Sequence, residues 1–305
     1  MARPAPTDAA AHRCGYAALL GRPNVGKSTL LNRLVGQKVS IVSNRPQTTR
    51  SAVRGIVTRD NAQIVFVDTP GFQTQHRSAL NRAMNRSVTQ TLAGVDAVLF
   101  LLEAPRLTGA DRQALELLPG AVPVLAVINK IDLLGDKASL LPLMQELAQA
   151  FAFAEIVPVS AERGAGTEEL LAALVRHLPS GPALFDADAI TDASERFLAA
   201  ELIREKLFRM LGEELPYAAT VAIESFRDEP GLKRIQAVIY VEKASQKAIV
   251  IGRGGEKLKD VATRARLEME RLFGSKVYLD VWVKVRGGWR DDERWLRTQG
   301  LEDER

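Results

Sequence analysis

Gly21-Arg22-Pro23-Asn24-Val25-Gly26-Lys27-Ser28 fits the phosphate-loop pattern G-x-x-x-x-G-K-[S/T] without a substitution, and no other stretch limits the fold as strongly. Residues 16–20 before it are a short apolar run that reads as a buried strand, and residues 29–34 after it have the apolar spacing of a helix. Gly21 and Gly26 let the backbone curl so that successive N–H groups from Gly21 to Thr29 face one anion. The helix start places its positive dipole end beneath the same point. At these positions Lys27 reaches β and γ phosphates and the Ser28 hydroxyl ligates Mg²⁺.

Strand–helix alternation continues downstream. Residues 52–57, 63–67, 97–102, 122–128 and 156–159 read as strands, the continuous apolar runs among them as strands buried on both faces. Residues 110–118, 139–150 and 167–177 read as helices between and after them. The expected first domain is therefore α/β, a doubly wound and mainly parallel sheet. After a break at Leu178-Pro179-Ser180-Gly181-Pro182 the order changes to a helix over 191–211 and strands over 220–226 and 232–242. A glycine-rich turn, a helix over 256–272 and a strand over 276–284 then complete an α+β domain.

Charge is unevenly spread along the chain. The chain of 305 residues carries a net charge of +4, whereas residues 233–290 hold 14 Lys and Arg against 6 Asp and Glu, a surplus of 8. A basic segment of that size, in a chain whose remainder sums to −4, suits a polyanion partner there. The single Cys14 excludes an intramolecular disulfide framework and a cysteine zinc site. No apolar run approaches the roughly 20 residues of a membrane span. Residues 1–13, rich in Ala and Pro, read as a flexible leader.

Further strings stand at strand ends in the first domain. Asp68-Thr69-Pro70-Gly71 offers a carboxylate to Mg²⁺ through water and the Gly71 N–H to a γ phosphate. Thr49, or Thr48 one step earlier, supplies a second hydroxyl to the metal from the polar loop at 36–50. In Asn129-Lys130-Ile131-Asp132 the Asp132 carboxylate accepts two hydrogen bonds from guanine N1 and N2, and the Lys130 stem covers the base. Ser160-Ala161-Glu162 presents backbone N–H to guanine O6. Adenine lacks the donors Asp132 needs, so the triphosphate implied is GTP. Lys27, Thr49 and Gly71 are the groups closest to the chemistry.

In the second domain Ile249-Val250-Ile251-Gly252-Arg253-Gly254-Gly255-Glu256-Lys257 places G-x-x-G before a helix. Two glycines let backbone approach a sugar-phosphate chain, and such a loop clamps about four nucleotides. Arg253 and Lys257 add charge, and Ile249 and Ile251 offer an apolar floor for bases. Trp289 and Trp295 in the basic tail read first as packing side chains, with stacking on bases as the alternative.

The series GRPNVGKS, QTTR, DTPG, NKID and SAE resembles the translation-factor-related bacterial GTPases. With the second domain, which resembles a KH domain of the prokaryotic type II arrangement, it is similar to the Era family over essentially the whole chain. The resemblance implies a GTPase domain at 14–180, a linker at 181–192 and a KH domain with its tail at 193–305. It further implies slow GTP hydrolysis with Mg²⁺ and recognition of the 3′ end of 16S rRNA. A role in 30S subunit maturation, a monomer, and a cytoplasmic protein with a peripheral membrane fraction are implied as well. Phe72 stands where Ras-like enzymes place a water-orienting Gln, a hydrophobic position in this family too. Asn24 matches the Asn that related GTPases use to bind K⁺. A membrane or cell-cycle signalling GTPase whose KH domain binds a non-ribosomal RNA stays open as the alternative.

Overall fold

A computed structural model describes residues 12–43, 45, 47–72, 78–212 and 215–299, so most of the expected leader lies outside the described residues. The chain divides into two compact units that interleave in sequence. The first takes residues up to 37, 52–69 and 88–192; the second takes 38–51, 70–87 and 193–305.

In the first unit the elements are β1 (Arg13–Leu20), α1 (Lys27–Val35), β2 (Val53–Arg59), β3 (Ala62–Asp68) and α2 (Ala79–Ala93), whose early residues count with the second unit. There follow β4 (Ala97–Glu103), α3 (Gly109–Leu115), β5 (Val124–Asn129), α4 (Leu140–Ala150), β6 (Glu155–Pro158) and α5 (Thr167–His177). The sheet order is β2-β3-β1-β4-β5-β6, parallel throughout except for β2, which runs antiparallel to β3. Leu19, Leu20, Phe66, Phe100 and Ile128 are buried, the outcome expected of apolar runs covered on both faces. Each such side chain stabilises the fold by about 1.5–3 kcal/mol. The order reverses around β1, and the loop leaving its carboxyl end is the phosphate loop, as open α/β sheets place their ligands.

β1 begins three residues earlier than the apolar run suggests, because Arg13 and Cys14 already pair with Ala62 and Gln63 of β3. Residues 181–192, expected as a linker, are fastened to the first unit. Gln63 Oε1 accepts from the Leu184 and Phe185 N–H groups at 2.7 and 2.9 Å, and its Nε2 donates to the Phe185 carbonyl. Ile56 N–H donates to the Ile190 carbonyl, and the Thr191 hydroxyl to Arg54.

The second unit holds α6 (Glu195–Met210), β7 (Ala219–Glu229), β8 (Leu232–Val241), α7 (Ala244–Ile251), α8 (Glu256–Phe273), β9 (Lys276–Val285) and α9 (Glu293–Thr298). The expected helix over 191–211 starts only at Glu195, since Ser194 caps it by accepting the Phe197 N–H at 3.2 Å. Its sheet, β7-β8-β9, pairs β7 with β8 antiparallel and β8 with β9 parallel. Leu202, Ile203, Ile235, Ile239, Val261 and Met269 join the helices to that sheet in one core. Trp289 is buried among Ala79, Leu80, Met84 and Leu296, and its indole N–H donates to the Ala218 carbonyl at 3.1 Å. Trp295 packs edge-on against Tyr240.

Candidate functional site

The strings read from the sequence stand at the carboxyl ends of parallel strands: Gly21 after β1, Asp68 closing β3, Asn129 closing β5 and Ser160 just past β6. Gly26 adopts φ 101°, and a Cβ there would lie 2.3 Å from Asn129 Nδ2. That close approach explains glycine at the position. Asn129 Nδ2 donates to the Val25 carbonyl at 2.8 Å, and its Oδ1 accepts from the Ala161 N–H at 2.9 Å. One buried amide thus ties the phosphate loop to the Ser160-Ala161-Glu162 turn. The Ala161 N–H, expected to face guanine O6, is engaged by Asn129 here. Asp132 is oriented by the Ser160 hydroxyl, which donates to its Oδ1 at 2.6 Å. Arg33 of α1 donates to the Ala161 and Glu162 carbonyls and braces the same turn.

At the phosphate loop Val25 is buried and anchors the turn, while Asn24 is exposed with φ 65°. Arg22 and Pro23 are half-buried, as is Thr29 in the first turn of α1. Lys27 Nζ donates to the Gly21 and Arg22 carbonyls at 2.8 and 3.1 Å. The Ser28 hydroxyl donates to Asp68 Oδ2 at 2.6 Å. Hydroxyl and carboxylate oxygens brought together suit a hard divalent cation such as Mg²⁺. Thr69 is buried and donates to the Leu19 carbonyl.

Thr49 is buried in the segment 38–51, and Pro70, Gly71 and Phe72 begin the segment 70–87; both segments belong to the second unit. Thr48, the other candidate hydroxyl, is engaged within its loop with Ser43 Oγ and the Arg45 carbonyl. Arg50 next to it is buried, lies over the rings of Phe208 and Trp289 at 5.8 and 5.6 Å, and donates to the Ala219 carbonyl at 3.0 Å.

The G-x-x-G turn joins α7 to α8. Gly252, Gly254 and Gly255 have φ of 75°, 59° and 83°, conformations that L side chains rarely adopt. Arg253 and Lys257 are exposed beside it. Ile249 on α7 is 46% exposed, whereas Ile251 is half-buried against the domain core. Of the expected floor, the outward part is therefore Ile249.

Residues 16–130 match the family described as 50S ribosome-binding GTPase, and residues 214–290 match the KH domain. GTPase Era of Nitrosomonas eutropha is 55% identical over 294 residues, covering 96% of this chain and 99% of that protein. GTPase Era of Chromobacterium violaceum is 56% identical, covering 97% and 100%. The chain belongs to the Era family of GTPases. A crystal structure of an Aquifex aeolicus Era variant bound to GDP·AlF₄⁻ superposes with a TM-score of 0.92 at 39% identity, covering 95% of this chain and all of the other. Era in complex with MgGDPNP and nucleotides 1506–1542 of 16S ribosomal RNA gives 0.93 at 39% identity, covering 96% of this chain and all of the other. As in its Era relatives, a P-loop GTPase domain with a mainly parallel sheet is followed by a C-terminal KH domain.

Electrostatics in this Era-family pocket centre on Lys27. Burial is the main cause that pushes its ammonium down to about 8; Asp68 opposes the shift and Arg22 adds to it. Two acids that the sequence reading did not single out hold the loop's other cation. Arg22 pairs with Glu103 at 3.1 Å and with the buried Asp111 at 3.2 Å, and Glu103 also pairs with Lys130 at 2.9 Å. Glu103 closes β4 as Asn129 closes β5, and the two are paired in register. Its position at a strand end was the available signal.

Proposed function

We propose that the chain is a GTP-gated switch that binds the 3′ end of 16S rRNA through residues 249–257 and acts in maturation of the 30S subunit. The observation that carries this is the joining, in one chain, of phosphate-loop and guanine-reading strings at strand ends with a G-x-x-G loop. The Era protein similar over 96% of the chain was crystallised with MgGDPNP and nucleotides 1506–1542 of 16S ribosomal RNA.

In this reading the N–H groups from Gly21 to Thr29 and Lys27 hold the phosphates, and Asp132 selects guanine. Ser28, Thr49 and Asp68 are the residues to hold Mg²⁺, which supplies charge neutralisation on the β- and γ-phosphate oxygens. Phe72 has no polar atom to orient a water, so backbone groups do so and intrinsic turnover is slow. Thr49 and the Gly71 N–H sense the γ phosphate. Loss of that phosphate releases both loops. K⁺ beside Asn24 raises the rate; equal hydrolysis in K⁺ and Na⁺ buffers removes this part. The protein is a cytoplasmic monomer with a peripheral membrane fraction, which sedimentation with and without anionic vesicles tests.

The deciding measurement is fluorescence anisotropy with a labelled oligoribonucleotide matching the 3′ end of 16S rRNA. It is run with GDPNP, with GDP and without nucleotide at fixed salt, and followed by co-sedimentation with 30S and 50S subunits. Tighter binding with GDPNP and partition to 30S are expected. Binding indifferent to nucleotide removes the gating. Partition to 50S, or binding no better than to a scrambled oligonucleotide, overturns the 30S assignment, the latter in favour of a signalling GTPase with another RNA.

A further inference from the structure

The basic residues of the C-terminal half are not equivalent. Lys233 pairs with Glu195 and Asp228, Arg234 with Glu229, Lys284 with Glu224, Arg286 with Asp292 and Arg290 with Glu242. Much of the charge surplus is thereby spent inside the fold. Among the described residues Lys257 and Arg271, both exposed on α8, have no acidic partner. With Arg264 they recur at intervals of seven, two turns of helix, and so share one side of α8. At 1.5 Å per residue the stripe runs about 21 Å from Lys257 to Arg271. It starts at the G-x-x-G turn.

The far end of the stripe is shaped. A cavity of about 260 Å³ is lined by Lys206, Arg209 and Met210 of α6 and by Arg264, Leu267, Glu268 and Arg271 of α8. Three guanidinium groups stand around it, a group that matches phosphate oxygens in its fork geometry; Arg209 is paired with Glu205 and Arg264 with Asp260, each at 2.7 Å, while Arg271 has no acidic partner among the described residues. Leu267 is 43% exposed there, and Met210 is half-buried beside it. The one acid of the lining, Glu268, is already held by Lys38 and Lys206. The volume suits a phosphodiester with its ribose rather than a whole drug-sized ligand.

We infer that an RNA strand clamped at Gly252–Gly255 continues along α8, and that one of its phosphodiesters seats in the cavity between α6 and α8. Arg264 and Arg271 grip the phosphate, and Leu267 and Met210 receive the sugar. This second RNA contact rests on the RNA-binding reading of the G-x-x-G turn. The stripe gives the strand a path and the cavity gives it an end point, which a solvated helix face lacks.

The test uses the full chain and three labelled oligoribonucleotides: a tetramer that fills the clamp alone, and two 12-mers that carry the tetramer at the 5′ or the 3′ end. One 12-mer is expected to bind at least about tenfold tighter than the tetramer, with a steeper salt dependence. In the double variant Arg264→Gln/Arg271→Gln that gain disappears, the salt slope falls by about 0.7 for the one single-strand phosphate contact, and tetramer binding is unchanged. Arg271→Glu, a single exposed change, is expected to lose the gain with an unaltered melting midpoint, which separates contact from fold. Equal affinity of all three oligonucleotides, or a double variant that binds the 12-mer as the parent does, overturns the inference while leaving the clamp in place. Failure of every oligonucleotide to bind overturns the RNA reading itself, and this inference with it.

Discussion

The nucleotide pocket and the RNA-facing surface solve recognition by opposite physical means. In the pocket, Asn129, Asp132, Ser160, Lys27, Ser28 and Asp68 are each held by a hydrogen bond between 2.6 and 3.1 Å within the protein. The donors and acceptors are thus set before the ligand arrives, and little ordering remains to be done on binding. Around the G-x-x-G turn, Arg253, Lys257 and Lys259 point into solvent and have no acidic partner among the described residues. In the proposed RNA-binding role, selection there would come from charge and from backbone that glycine leaves accessible. On the proposed function, the pocket selects through groups already set and the RNA surface through open, salt-sensitive charge.

The largest expected effect breaks the pocket's side of that contrast. Gly26→Ala forces a Cβ to within 2.3 Å of Asn129 Nδ2 at a backbone φ of 101°. Asn129 must then leave the Val25 carbonyl and the Ala161 N–H, two buried groups worth about 1–3 kcal/mol each. Nucleotide affinity, measured by titration calorimetry, is expected to fall by about a hundredfold or more. A loss below about threefold would show that the bridge is not what holds the pocket.

How far this was legible in the sequence follows from how local each piece of chemistry is. A phosphate cradle is made by eight consecutive residues, so Gly21 to Ser28 announce it, and the guanine-reading strings are equally short. Strand alternation also sufficed for the doubly wound sheet. Glu103 and Asp111 were not legible, because their role is to hold Arg22 and Lys130, residues brought near them only by the pairing of β4 with β5 and by packing. Arg50 shows the same limit. Its neighbour Thr49 could be read as a metal ligand, but the rings that cover Arg50 come from Phe208 and Trp289, more than 150 residues away. The interleaving of 38–51 and 70–87 with 193–305 likewise has no local string.

A pH series sharpens the comparison with a smaller effect. Burial lowers Lys27 to about 8 from 10.5, while bound phosphates favour its charged form. Nucleotide binding above pH 8 therefore takes up a proton, and affinity is expected to fall about tenfold per pH unit. Stability moves the other way. Between pH 8 and 10.5 the folded protein binds fewer protons at Lys27 than the unfolded chain does. This group's contribution to stability thus rises with pH across that window. Nucleotide affinity that stays flat from pH 7.5 to 9.5 would exclude a buried, readily deprotonated Lys27. RNA affinity measured alongside provides the reference, since no Lys27 charge takes part in it.

The smallest effect comes from placing the Gly26 substitution at its counterpart in the open surface. Gly254 also has a left-handed backbone, φ 59°, yet a Cβ there would meet nothing within 4 Å. Gly254→Ala therefore carries only the conformational cost of a left-handed alanine, about 1 kcal/mol, and RNA affinity is expected to fall roughly fivefold. The salt slope should be unchanged, because no cation is removed. A loss as large as that of Gly26→Ala would mean that RNA backbone packs directly on Gly254, and the open surface would then be as pre-shaped as the pocket. An unchanged affinity would place the clamp elsewhere on the turn.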